Sequence, residues 1–315
     1  MSDVAVPAGQ PPGGVHRRCA HPLVASVAVV DRAVTLLSFQ ILDSMFEESR
    51  AQRLGSHQRH HQRRTASWIT CDHALSDPDF FARWRAQVAQ RLAEQHPAVL
   101  DETQVSEKTT GGYVLQWYLI IPAYLGGLLF HATRRVPLLS PQQLGFRLDP
   151  AALREVALRP GRFWCLTGDP DASHPDAVPV PDEAALGAVL RDQVIAHASR
   201  FLAVYAPQVR FGHRTQWAAV TDVLDSGLLL AGRSFGSPQA GAADARLVLA
   251  DGAKPLTSAS TIAAVTDDRG RIRWTRRRSS CCFLYALPGI EHPCASCPRV
   301  NDGERARIFG MLESA

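Results

Sequence analysis

Apolar residues recur along this chain mostly at helical spacing. Residues 34–54 carry Leu37, Ile41 and Met45 four apart, as on one helix face. The polar run SHQRHHQRR, 56–64, breaks that pattern and reads as an exposed loop. Asp77 and Pro78 then open a second helix, the first as a cap and the second at the first helical position. Phe81, Trp84, Val88 and Leu92 give it an apolar stripe, and Pro97 ends it. Gly111 and Gly112 precede an apolar helix over 113–129. From Pro137 to Gly161 proline and glycine punctuate the chain, leaving short strand-like pieces such as 163–167. A loop rich in Pro and Asp, 168–181, reads as a boundary or an insertion. A strong helix follows over 183–205, with Leu186, Val189, Leu190, Val194, His197 and Phe201 on its apolar face, and Pro207 stops it. Another helix is expected over 215–230, after which Gly and Ala dominate to residue 243. Two apolar runs, 262–265 and 271–275, flank a turn of Asp267, Asp268, Arg269 and Gly270, the signature of a β-hairpin. A short terminal helix over 303–313 closes the chain, and no internal repeat is visible.

These elements predict a helix-rich α+β fold with a small β-hairpin or sheet element. Three parts are expected: a disordered lead-in over 1–20, an α+β body over 21–260, and a C-terminal segment over 261–315. The lead-in is assigned on composition, because 1–14 are rich in Pro, Gly and Ala. Hydrophobic residues make up 46% of the chain, enough for a sizeable core. The longest apolar run, WYLIIPAYLGGLLF at 117–130, contains Pro122. A bilayer-crossing helix needs roughly 20 residues, and this run falls short of that. It is therefore expected to be a core helix. No transmembrane span is expected, although peripheral association with a membrane stays open. No secretory pattern opens the sequence, so the expected location is cytoplasmic. The net charge of +4 is mild, and the basic residues are not clustered as a nucleic-acid surface requires, so no nucleic-acid partner is expected.

The cysteines change the picture. There are seven, and four of them, Cys281, Cys282, Cys294 and Cys297, fall near the end. An odd count with no export signal argues against a disulfide scaffold. Four thiolates are the usual complement of an iron–sulfur cluster, and equally of a structural zinc site. Cys294 and Cys297, with two residues between them, form a tight loop that suits either. Cys281 and Cys282 are adjacent, and in extended backbone adjacent side chains point to opposite sides. Closing both onto one tetrahedral zinc demands a sharp bend, and zinc sites usually space their ligand pairs by two to four residues. A two-iron cluster is larger and accommodates them more easily. Cluster, zinc site and reactive or structural cysteines all remain open on spacing alone.

The run RRSSCCFLYALPG at 277–289, followed by C-x2-C-P at 294–298, resembles the C-terminal signature of the FhuF-like ferric-siderophore reductases. The Arg run, the paired cysteines, the aromatic and Leu-Pro-Gly after them and the Pro after the last cysteine all match. Arg214, Trp217 and Ala218 are similar, more loosely, to a Trp-containing helix of that family. One departure is present: the spacing between the pairs is one residue longer here, the extra residue falling within 290–293. Loop-closure entropy changes little for one added residue.

The resemblance implies a [2Fe–2S] cluster on Cys281, Cys282, Cys294 and Cys297, and a ferric siderophore as substrate. One electron converts tightly chelated Fe3+ into Fe2+, which oxygen ligands hold far less tightly. No G-x-G-x-x-G or P-loop motif is present, so the electron is expected from an external ferredoxin or flavin reductase. Arg276, Arg277 and Arg278 are candidates for docking a partner or raising the cluster potential. The competing readings are a zinc-binding interaction module and an iron–sulfur sensor that binds DNA. His57, His60 and His61 read as a solvated loop, His197 as a satisfied core residue, and Cys19, Cys71 and Cys165 as buried free thiols. Asp169, Asp171 and Asp176 lack calcium-loop spacing. Trp274 reads as a packing residue.

Overall fold

The computed structural model describes residues 21–23, 68–95, 105–149, 151–250, 253–267, 269–281, 283 and 293–312. The expected lead-in, the helix at 34–54, the histidine-rich loop, Cys19, Pro97 and Cys282 lie outside the described residues. The fold is α+β. Among the described residues, helices α1 (Cys71–Ser76), α2 (Phe80–Gln95), α3 (Glu107–Thr133), α4 (Glu183–Tyr205), α5 (His213–Ser234), α6 (Pro238–Val248) and α7 (Asp302–Leu312) accompany eight short strands.

Helix α3 is the axis of the body. The expected start after Gly112 is too late, because both glycines lie inside the helix. Ser106 sets the true start: its hydroxyl accepts the Thr109 N–H at 3.1 Å, satisfying a donor that the first turn leaves open. A helix apolar all round has no solvent face. By length and composition α3 is apolar enough to cross a membrane, yet 94% of its most apolar window is buried inside the fold. It packs along α5, and α2, α4 and α6 surround that pair.

Helix α2 starts at Phe80, two residues later than expected. Asp77 instead closes α1, and its carboxylate accepts the Asp79 N–H at 3.0 Å. The expected stripe of Phe81, Trp84, Val88 and Leu92 is buried. Helix α4 has the expected limits, capped by Asp182 through the Ala185 N–H at 2.8 Å. Helix α5 extends beyond 215–230 at both ends. The Gly/Ala stretch after it holds a helix that composition concealed, α6, capped by Ser237 with Pro238 at its first position. Glycine is required where α5 turns back into α6. A Cβ on Gly232 would stand 2.6 Å from both the Gly241 nitrogen and the Ser237 oxygen, backbone atoms that have no room to give.

Three small sheets complete the fold. Strands β1 (Ile69–Thr70), β3 (Leu144–Asp149) and β4 (Ala152–Leu158) form an antiparallel sheet in the order β1-β3-β4. In the second sheet β5 (Phe163–Leu166) lies between β2 (Arg135–Pro137), antiparallel to it, and β6 (Ala177–Val180), parallel. The Asp-rich stretch 168–181, read as a loop, supplies strand β6. Arg135 explains why it is ordered. Its guanidinium grips Asp169 at 2.9 and 2.7 Å, Asp171 at 2.6 Å and the Pro22 carbonyl at 3.1 Å. The third sheet is the expected hairpin, β7 (Ala263–Thr266) with β8 (Ile272–Thr275), its turn held by Asp267 accepting the N–H groups of Arg269 and Arg271.

Candidate metal centre

The hairpin delivers the chain to the cysteine segment, and α5 receives it. Two buried aspartates one turn apart on α5 do the holding. Asp225 accepts the Ser260 hydroxyl at 2.6 Å and the Thr261 N–H at 3.1 Å, at the entry to β7. Burial raises its pKa, and these donors oppose the rise. Asp222 accepts the N–H groups of Ser279 and Ser280, both at 2.8 Å, and the Ser280 hydroxyl at 2.5 Å. The two residues before Cys281 are therefore fixed to the body by three hydrogen bonds.

The cysteine segment is folded back on itself. The Arg278 N–H donates to the Ser296 carbonyl at 2.9 Å, which lays the approach to Cys281 against the Cys294–Cys297 loop. That loop is a tight turn, with the Cys297 N–H on the Cys294 carbonyl at 2.9 Å. From α7, Arg305 donates to the carbonyls of Ala295, Cys297 and Val300. The chain bends sharply at Phe283, two residues after Cys281. Its φ of 61° is a left-handed conformation. Such a conformation is uncommon for a bulky residue. The Phe283 N–H lies 3.3 Å from the Cys281 sulfur, and its ring stacks on Phe211 at 5.7 Å between centroids.

Three of the four expected ligands are described, all as free thiols: Cys294 and Cys297 hydrogen-bond through their side chains and Cys281 lies close enough to add its charge, while Cys282 lies outside the described residues. The Cys297 thiol is pushed far above its ordinary pKa, first by its hydrogen bond with Cys294, then by burial, with the charges of Cys294 and Cys281 adding to both. A thiol placed as Cys297 is holds its proton. Cysteine sulfurs bind metals as thiolates, and a metal assembly that takes Cys297 in that form relieves its crowding, so the cysteine donors fit a thiolate-bound group. Cys281 and Cys294 are half-buried and Cys297 is buried, so the site reaches the surface on one side.

Residues 278–299 match the model of the FhuF 2Fe-2S C-terminal domain. The C-terminal segment is an iron–sulfur domain of this type, and its cofactor is a [2Fe–2S] cluster. A comparison with curated proteins found no match.

The arginine run leading into the 2Fe-2S domain is placed differently from a free basic patch. Arg276 and Arg278 turn inward to Asp222, at 3.5 and 3.8 Å, and Arg278 also reaches the Gln116 side chain on α3. Arg277 alone of the three is exposed. Asp222, Phe211 and Arg305 were not singled out by sequence reasoning: the first two are remote in sequence, and Arg305 follows Cys297 by eight residues in a terminal helix with nothing in its spacing to single it out.

The remaining candidates are accounted for by packing. His197 donates from Nδ1 to the Leu139 carbonyl at 2.7 Å and its Nε2 faces the Tyr118 hydroxyl at 3.2 Å. Cys71 and Cys165 are buried thiols, and burial raises Cys71 to about 12. Trp274 packs against the core. His21, His174 and Asp176 bring ligand-type atoms within 4.8 Å of one another. However, Nδ1 of His21 accepts the Leu23 N–H and Nδ1 of His174 accepts the Asp176 N–H, at 3.2 and 3.1 Å. Each Nε2 then carries the ring proton, and His21 donates its own to Asp176 at 3.1 Å. The lone pairs a metal needs there are engaged, and the cluster serves as a clip for residues 21–23.

Proposed function

We propose that this chain is a cytoplasmic ferric-siderophore reductase in which Cys281, Cys282, Cys294 and Cys297 hold the [2Fe–2S] cluster. The observation that carries the reading is the match of residues 278–299 to the FhuF 2Fe-2S domain, in which the Arg278–Ser296 hydrogen bond lays the approach to Cys281 against the Cys294–Cys297 loop. When bound, the cluster supplies one electron at a time, enough to turn chelated Fe3+ into releasable Fe2+. The half-buried Cys281 and Cys294 leave one side of the site near the surface, which suits outer-sphere approach by a bulky chelate. The exposed Arg277 beside it offers positive charge to an anionic chelate or an acidic donor protein. Asp222 and Arg305 fix the two halves of the cysteine segment, so little reorganisation is needed during transfer. The electron comes from an external ferredoxin or flavin reductase, since no dinucleotide-binding motif is present in the sequence.

The test is anaerobic purification followed by absorbance, EPR and metal analysis, then incubation of the dithionite-reduced protein with a ferric hydroxamate and a ferrous trap. The expected result is two irons and two sulfides per chain, and coloured Fe2+ complex in proportion to reduced protein. Cys297→Ser is expected to lose or strongly disturb the spectrum. A colourless protein with bound zinc, or a cluster that passes no electron to any of several ferric chelates, defeats the reading.

A further inference from the structure

Arg305 is one of the largest fully buried side chains in the molecule, only 1% exposed. A guanidinium cannot shed its charge, and burying it uncompensated is costly. Its hydrogen bonds go to three neutral carbonyls, those of Ala295, Cys297 and Val300. The carboxylate that faces it, Asp302, stands 3.7 Å away and is 83% exposed. So exposed a carboxylate is a weak, solvent-screened partner. Arg278, the other deeply buried arginine of the segment, faces the equally buried Asp222. Arg305 thus sits directly behind the Cys294–Cys297 loop with a charge that no buried carboxylate among the described residues answers.

We propose that Arg305 is the buried counter-charge of the iron–sulfur cluster and the positioning residue that sets its reduction potential. The proposal rests on the reading that Cys294 and Cys297 are ligands. Four thiolates and two sulfides outweigh two ferric ions, so the assembly is a dianion. The added electron makes it a trianion, with no proton taken up and the donor oxidised by one electron. A fixed cation behind two of the ligands favours the trianion more than the dianion, and so raises the potential. The same charge gives the proposal a consequence for folding. In the cluster-free chain Arg305 is a liability, and with the cluster bound it is answered.

The test uses the full chain with Arg305→Met, Arg305→Gln and Arg305→Lys. Mediated redox titration monitored by EPR is paired with urea unfolding of the cluster-free and loaded proteins. In Arg305→Met and Arg305→Gln the equilibrium constant for reduction is expected to fall about tenfold, a drop of about 59 mV for one electron. Arg305→Lys keeps the charge but loses the planar fork, and its potential is expected to stay near that of the unaltered protein. The cluster-free Met variant is expected to unfold at the same urea concentration or a higher one, and the loaded Met variant at a lower one. A loaded Met or Gln variant with unchanged potential overturns the proposal. So do equal shifts in Lys and Met, which would mark the hydrogen-bonding fork as the cause. If Met and Gln fail to hold a cluster while Lys holds one, the need for charge is upheld at the assembly step, and if all three fail, it is overturned. An unaltered protein without a cluster would instead defeat the ligand assignment, independently of Arg305.

Discussion

His197 shows how one buried side chain sets a condition on the whole core. It is 1% exposed, and burial lowers its pKa from 6.5 to about 4 against the opposing hydrogen bond to Leu139, with Arg200 adding to the fall. The folded protein therefore keeps it neutral while the unfolded chain binds a proton below about 6.5. Its contribution to stability is complete above that pH and is lost as pH falls from 6.5 toward 4. The loss runs at about 1.4 kcal/mol per pH unit, or about 3 kcal/mol in all. Urea midpoints measured between pH 7 and pH 4 should fall, and more steeply than in His197→Gln, which has no proton to take up. Equal slopes would show that other groups carry the acid sensitivity. The neighbouring Cys71 thiol, raised to about 12, is protonated throughout and takes no part.

At the scale of elements, the contact that matters is between α5 and the segment entering the 2Fe-2S domain. Asp222 meets two backbone N–H groups, one hydroxyl and two guanidiniums from residues 276–280. Asp222→Ala leaves Arg276 and Arg278 enclosed without that carboxylate. Breaking a buried ion pair this way costs about 3–5 kcal/mol. Urea unfolding of the cluster-free protein should show a loss of that size, with Asp222→Asn intermediate because it keeps one acceptor. A loss below about 1 kcal/mol, the range of exposed pairs, would mean that the segment is held elsewhere. The expected loss separates Asp222 from Arg305 in the cluster-free state, where removing the latter charge is expected to cost nothing. One carboxylate against two guanidiniums still leaves net positive charge near Cys281, so the Arg276 and Arg278 expected to tune the potential are placed to do so from the interior. Of the three, Arg277 is the one whose side chain is exposed.

For the whole molecule, the proposed activity needs a partner. The purified chain mixed with NADPH alone is expected to leave a ferric hydroxamate unreduced, and addition of a ferredoxin with its reductase should start Fe2+ release. Turnover with NADPH alone would reveal a nucleotide site that the sequence motifs do not announce. What the sequence determined by itself was local: the periodic helices α2 and α4, the hairpin β7–β8 and the four-cysteine pattern. Each depends on residues within a few positions of one another, where capping, turn chemistry and ligand spacing act directly. Helix α6 was hidden because Gly and Ala are read as breakers and fillers, and only the close approach of Gly232 and Gly241 shows why they are there. The β5–β6 pairing was hidden because an arginine far upstream, Arg135, orders the loop between them. Tertiary structure alone decided the surroundings of the cysteines. Asp222 from α5 reaches the approach to Cys281 across the fold, Phe211 ahead of α5 stacks on Phe283, and Arg305 folds back from α7, because a buried group is satisfied by what lies near it in space.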